Sequence, residues 1–361
     1  MTASFPQCGA IEKITAHPKS MIVAPVDNLP DGFSSRLATI TDLEQVVEFT
    51  NAFANSVIGS DETNLDRARA QWEEPGFDPR LSVRLVEDAR GDLVGAIEVW
   101  DTSEIPVDPW VVGQVDPDHE GLGIGSYLVA WAERRAAQVI PRVPPEARVV
   151  MRVGVFHGHK PSEHLLTDRG YRADRFFWRM TIDFQEPTDS PKWPDGIQLR
   201  PFDRRRDAEA VYRAEDEAFE DHWGHVPESF EVGFKRWSHS SFHGTAYDPG
   251  LWFIAWDGGQ IAGLARARPQ ADHDLEMGWI RTLSVRRPWR RQGLAQALLL
   301  HTFAEFRRRG TLKVGLGVDG RNPTGAIRLY EKAGMKIALR YDIYAKELRP
   351  GKEWMTLSNP K

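Results

Sequence analysis

The hydrophobic and polar positions of this chain follow one rhythm twice. Trp110–Val115 reads as a strand, and a glycine-rich segment, Glu120-Gly121-Leu122-Gly123-Ile124-Gly125, follows it. Behind that segment, Leu128, Val129, Trp131 and Ala132 recur on one face of a predicted helix over residues 126–138. Far downstream, residues 279–285 read as a strand, Arg290-Arg291-Gln292-Gly293-Leu294-Ala295 follows, and Leu298, Leu299, Phe303 and Phe306 mark the next helix. After each loop come a buried strand, a short helix and a closing strand. In the first half these are Val149–Phe156, a helix running to Gly170, and residues 176–184. In the second they are residues 312–318, a helix running to Gly334, and residues 337–346. Gly170 and Gly334 stand where a helix end takes a left-handed residue. Upstream, a short strand and a helix open each copy, at residues 35–39 and 42–54, and at 198–201 and 206–219.

Each copy therefore predicts a mixed α/β (α+β) unit: a mostly antiparallel central sheet flanked by helices, with a parallel pair around the loop–helix crossover. The expected organisation is a tail over residues 1–32, one domain over 33–184, a linker over 185–196 rich in proline and aspartate, and a second domain over 197–349. A chain of 361 residues accommodates two such units, each large enough for its own core.

Composition narrows the function classes. With 46 Lys+Arg against 52 Asp+Glu the net charge is −6, which argues against nucleic acid as the main partner. The single cysteine, Cys8, excludes an intramolecular disulfide framework and a cysteine metal cluster. No run approaches a membrane span, and the first twenty residues contain no continuous apolar stretch of secretory type, so a cytoplasmic location is expected. His157-Gly158-His159 is poor metal spacing, and no metal is expected. The thirteen tryptophans are expected mainly in cores, with some walling a pocket. Oligomeric state leaves no mark in the pattern.

The loop at Arg290–Ala295 carries the chemistry. A turn entering a helix presents N–H groups with no intrahelical acceptor, and the helix dipole favours negative charge there. Gly293 lets a ligand approach the main chain, and Arg286, Arg287, Arg290 and Arg291 surround the turn. The string Leu283-Ser284-Val285-Arg286-Arg287-Pro288-Trp289-Arg290-Arg291-Gln292-Gly293-Leu294-Ala295 closely resembles the first signature of the GNAT acetyltransferase superfamily. A second signature is resembled by Asn322-Pro323-Thr324-Gly325-Ala326-Ile327-Arg328-Leu329-Tyr330-Glu331-Lys332-Ala333-Gly334-Met335. The resemblance covers the second half well and the first more loosely, and the tandem arrangement resembles that of mycothiol synthase-like two-domain members.

That resemblance implies an N-acetyltransferase that takes acetyl-CoA and the primary amine of a small molecule into one ternary complex. Main-chain amides of Gln292, Gly293, Leu294, Ala295 and Gln296 would cradle the pyrophosphate, with Arg290 and Arg291 beside it. Leu283 and Val285 would pair with the pantetheine arm, Asn322 would hydrogen-bond near it, and Tyr330 would protonate the leaving thiolate. Glu276, near the start of the central strand, is the first candidate for the general base. His222, Trp223 and His225 lie on a loop that would cover the acceptor. A non-catalytic acyl-CoA-binding protein and a protein or peptide N-acetyltransferase are the competing readings. The first copy departs from the pattern: Glu120 stands where arginine or glutamine is expected, and alignment of Gly170 with Gly334 puts Leu166 at the place of Tyr330 and Gly158 at that of Asn322. Residues 33–184 are accordingly expected to keep the fold without the catalysis.

Overall fold

The computed structural model describes residues 28–184, 189–243 and 247–357. Most of the expected tail, with Cys8, and part of the linker lie outside them. The first half runs β1 (Ser34–Leu37), α1 (Leu43–Ile58), α2 (Leu65–Trp72), α3 (Pro79–Ser82), β2 (Val83–Glu87), β3 (Leu93–Trp100), β4 (Trp110–Val115), α4 (Ile124–Ala137), β5 (Val149–Phe156), α5 (Lys160–Asp168) and β6 (Arg172–Asp183). The second runs β7 (Ile197–Pro201), α6 (Arg204–Phe219), α7 (Phe230–Phe242), β8 (Trp252–Asp257), β9 (Gln260–Arg268), β10 (Met277–Val285), α8 (Leu294–Arg308), β11 (Lys313–Asp319), α9 (Ala326–Lys332) and β12 (Lys336–Arg349).

Within each half the strands pair antiparallel except β4 with β5 and β10 with β11, the expected parallel pairs around the crossover helices α4 and α8. Each crossover helix buries its apolar stripe on the sheet. Leu128 and Ala132 sit in the first core with Val111 and Met151, and Leu299 and Phe303 sit in the second with Val314 and Leu316. This burial removes the apolar face from water and is the main stabilising term of each lobe.

The closing strands are exchanged between the halves. β6, from the first half, pairs with β11 from Lys313↔Asp183 to Asp319↔Phe177, and β12 pairs with β5 from Tyr341↔Phe156 to Arg349↔Val149. β12 and β6 also pair with each other, so one twelve-stranded sheet runs β1-β2-β3-β4-β5-β12-β6-β11-β10-β9-β8-β7. The break at residues 185–196 separates two halves of the sequence, but it is not a break in the sheet. Core composition follows the exchange: Met180 and Phe184 are buried among second-half residues, with Phe184 5.3 Å from Phe303, while Tyr344 and Leu348 pack on the first core. Arg175 on β6 donates to Asp319 at the end of β11 at 2.6 Å, and Lys346 on β12 meets Glu133 on α4 at 2.9 Å.

Candidate active site

The segment after β10 is built as its sequence requires. A single 3₁₀ turn at Arg287–Trp289 leads to Arg291 and Gly293, whose φ values are +64° and +87°. A β-carbon at Gly293 would meet nothing within 4 Å, so this glycine serves backbone conformation and leaves open space in front of the helix. The first i→i−4 bond of α8 joins Ala297 N–H to Gly293 O at 3.0 Å, which leaves the N–H groups of Leu294, Ala295 and Gln296 without an intrahelical acceptor. These groups line a groove of about 1330 Å³. The cradle suits a phosphate: free donors, a positive helix end and no side chain in the way.

The surrounding arginines divide their work. Arg290 donates through Nη1 to Asp221 Oδ2 at 2.7 Å, through Nε to Val285 O at 3.0 Å and through Nη2 to Ala218 O at 3.0 Å. Arg286 is held by Glu217 at 2.6 Å, and Arg287 reaches Asp221 at 3.4 Å. Arg290, expected beside the phosphate, is thus committed to fastening the loop onto the end of α6, and its hydrogen bonds are the first reason that the Asp221 carboxyl titrates well below the usual range. Arg291 differs: it is exposed, and no carboxylate among the described residues lies within ion-pair distance of it. Gln292 donates its side-chain amide to Pro288 O at 3.0 Å, bracing the turn from outside the groove.

Upstream of the loop the sheet opens. β10 and β11 pair only from Met277↔Lys313 to Ile280↔Leu316, so the main chain of Leu283 and Val285 faces β11 unpaired. On its other side β10 stays paired to β9, with a register shift that makes Arg281 a bulge. Ser284 Oγ is buried in the groove wall with no protein partner, a polar group that the sequence reading did not single out. Tyr330, on α9, is 7% exposed and lines the same groove, and burial pushes its hydroxyl up to about 12. Asn322 precedes α9 and also lines the groove; its Oδ1 accepts from the N–H of Thr324 at 2.8 Å, closing the turn and leaving the side-chain NH₂ available.

The residues expected on the acceptor side separate. His222 and Trp223 line the groove. His222 packs edge-on against Phe219 at 4.5 Å, and burial lowers its pKa, so the neutral imidazole is favoured. Trp223 stands between the guanidiniums of Arg152 and Arg175, 4.9 Å from each, anchoring this loop on strands of the first half. Gly224, at φ +85°, turns the chain, and His225 bonds Asp216 at 3.1 Å and lines a separate cavity of about 580 Å³ between the halves. Glu276 is not brought to the groove. It is exposed ahead of β10, at the end where β10 and β11 are still paired, and its N–H bonds to Asp274.

The corresponding place in the first half is furnished differently. Gly121 and Gly123 take the same left-handed conformation, at φ +75° and +95°, but Pro30 approaches to 3.3 Å of where a β-carbon on Gly123 would sit. The cavity there measures about 300 Å³. Glu120 from the loop meets His159 from the start of α5 at 3.2 Å, and Leu166 is buried where Tyr330 has its counterpart. His157 turns the other way, to Asp342 at 2.6 Å, so the His157-Gly158-His159 pair does not converge on one point. Among the described residues no helix is long and apolar enough to cross a membrane.

A phosphate cradle at a helix start, a splayed parallel pair and a buried tyrosine opposite define an acyltransferase of the GNAT type, and residues 208–335 match the model of the acetyltransferase (GNAT) family. The chain is 33% identical over 291 residues to the mycothiol acetyltransferase of Thermobispora bispora, covering 76% of this chain and 92% of that one. It is 31% identical over 300 residues to the mycothiol acetyltransferase of Salinispora arenicola, covering 75% and 88%. A crystallised GCN5-related N-acetyltransferase from Sphaerobacter thermophilus superposes with a TM-score of 0.75 at 32% identity over 90% of this chain and 99% of that one. A tandem GNAT protein from the clavulanic acid biosynthesis pathway shares the fold, with a TM-score of 0.63 at 14% identity over 89% of this chain and all of the other. The chain belongs to the GNAT family of acetyltransferases in its tandem form, and is an N-acetyltransferase.

Proposed function

We propose that the groove of the second half transfers an acetyl group from acetyl-CoA to the primary amine of a small molecule, in one ternary complex. The observation that carries this reading is the convergence of the loop amides, the open edge of β10 and the Tyr330 hydroxyl on a single groove. The pyrophosphate lies on the N–H groups of Leu294, Ala295 and Gln296 beside Arg291, which has no carboxylate partner among the described residues, and the pantetheine arm extends β10 by main-chain pairing at Leu283 and Val285. Asn322 reaches the arm with its side-chain NH₂. The amine nitrogen attacks the thioester carbonyl, the C–S bond breaks, and Tyr330 gives its proton to the departing sulfur. Holding both reactants in line contributes on the order of 7 kcal/mol or more of the barrier reduction.

His222 replaces Glu276 as the general base, because it lines the groove in a form that accepts a proton at neutral pH. The carboxylates nearby are engaged, Asp221 by Arg290 and Asp319 by Arg175. Trp223 forms the acceptor-side wall, whereas His225 acts in the neighbouring cavity. Amine-dependent release of CoA thiol, followed across pH in the wild type and in His222→Gln, tests the assignment. A His pKa lowered in the folded protein places the acid limb of kcat/KM below pH 6.5, with activity rising as His222 loses its proton. The substitution is expected to remove that limb and lower kcat roughly 10²-fold. An unchanged limb in the variant excludes His222 as the base, and no thiol release with any primary amine excludes the reaction.

Residues 33–184 serve as a scaffold in this reading. Their loop is acidic and overlaid by Pro30, the proton donor is replaced by Leu166, and their strands carry the Trp223 wall.

A further inference from the structure

Arg281 is the extra residue of the β10 bulge, and it lines both the groove and the 580 Å³ cavity between the halves. It lies four residues before Val285, some 13 Å along the strand at ~3.3 Å per residue, and therefore at the thioester end of the groove, away from the phosphate cradle. Its charged neighbours are Arg67, Arg266, Arg268 and Glu215, and each of those arginines is paired with a carboxylate. Arg266 meets Glu215 at 2.6 Å, Arg268 meets Asp272 at 2.7 Å, and Arg67 meets Asp272 at 3.4 Å. Two carboxylates are thus shared by three guanidiniums, and among the described residues none lies within ion-pair distance of Arg281. Burial, then Arg67, Arg266 and Arg268, bring its pKa down to about 9 against the weaker opposing pull of Glu215, whose carboxylate is held by Arg266. The cavity beyond it is walled by Trp100, Trp110, Tyr212 and Trp237, and it also carries five carboxylates, each within ion-pair distance of an arginine or a histidine, as Asp101 is of Arg135 and Glu228 of Arg236.

We propose that Arg281 is the acceptor's anion site, and that the acceptor is a primary amine bearing a carboxylate and an apolar side group, in the manner of an α-amino acid. The guanidinium takes the carboxylate as a fork while the aromatic wall takes the side group, which leaves the amine facing the groove. This rests on acetyl transfer in the second-half groove.

The test uses the full chain and matched probes: L-phenylalanine, L-leucine and L-tryptophan against their carboxamides. Binding to the CoA-loaded protein is measured by calorimetry, and transfer from acetyl-CoA by thiol release. The amino acids are expected to exceed their amides in kcat/KM by roughly 10- to 100-fold, the range of a charge-assisted pair. In Arg281→Gln that ratio is expected to fall to about 2 or less through KM alone, and Arg281→Lys to restore part of it. A structural role would lower both members of each pair equally and leave the ratio intact. Equal use of acid and amide, a preference that survives in Arg281→Gln, or neither binding nor transfer of any amino acid overturns the proposal. Amino-acid binding that is lost in Arg281→Gln, in a protein that acetylates nothing, upholds the anion site while removing the transfer reading.

Discussion

Tyr330→Phe is expected to lower kcat by about 10²- to 10⁴-fold while leaving the affinity for acetyl-CoA within about twofold. The structure separates these two effects. The ring is buried against the second core and will stay there in the variant, since no protein group among the described residues bonds the hydroxyl. Removing the hydroxyl therefore deletes the proposed proton donor without leaving a protein group unsatisfied. A hydroxyl pushed up to about 12 keeps its proton through the neutral range, so the proposed donor would be loaded whenever a thiolate forms. Single-turnover mixing of enzyme, acetyl-CoA and amine reads the chemical step directly. A variant with wild-type single-turnover rate assigns the proton to another group.

The second large effect concerns folding. Residues 33–184 and 197–349, made as separate chains, are each expected to fail to give a cooperatively folded monomer, and to fold when produced together. In isolation the first fragment leaves β5 without β12, and β6 without either of its sheet neighbours, β12 and β11. Met180, fully buried in the intact chain, would then face water, and the unpaired strand edges would invite aggregation. Loss of this apolar contact together with three strand edges is set against a total of only about 5–15 kcal/mol that stabilises an ordinary domain. Circular dichroism with thermal melting of each fragment and of the pair measures this. A cooperative, monomeric melt of residues 33–184 alone would show that the exchanged strands are dispensable.

The two outcomes mark what a linear reading can reach. The loop–helix grammar was legible because conformation demands it locally: Gly293 and Gly123 are where a left-handed residue must stand. The parallel pairs followed from the crossover helices. The strand exchange was not legible, since β6 and β12 both close their halves and nothing near either strand names its partner across the chain. Charges show the same limit. Four arginines around a loop announce an anion site, but only the fold brings Asp221, 69 residues before Arg290, to claim that arginine. Glu276 was placed correctly at the start of its strand. Which end of that strand opens depends on where pairing with β11 stops. His222 and His225 were inseparable in sequence until Gly224 turned them toward different cavities. Arg281 required both the bulge and the census of its neighbours' carboxylates.

Chemistry confined to the second-half groove is the central claim, and the most direct test is the stoichiometry of acetyl-CoA binding by calorimetry in the wild type, Gly293→Asp and Gly123→Asp. A β-carbon meets nothing at Gly293, and the left-handed strain of the substitution is shared by Gly123→Asp, so what differs is a new carboxylate at the helix start that would repel the pyrophosphate. One site per chain is expected in the wild type and in Gly123→Asp, with at least a tenfold loss of affinity in Gly293→Asp. Two sites per chain, or binding that survives in Gly293→Asp and disappears in Gly123→Asp, would contradict it.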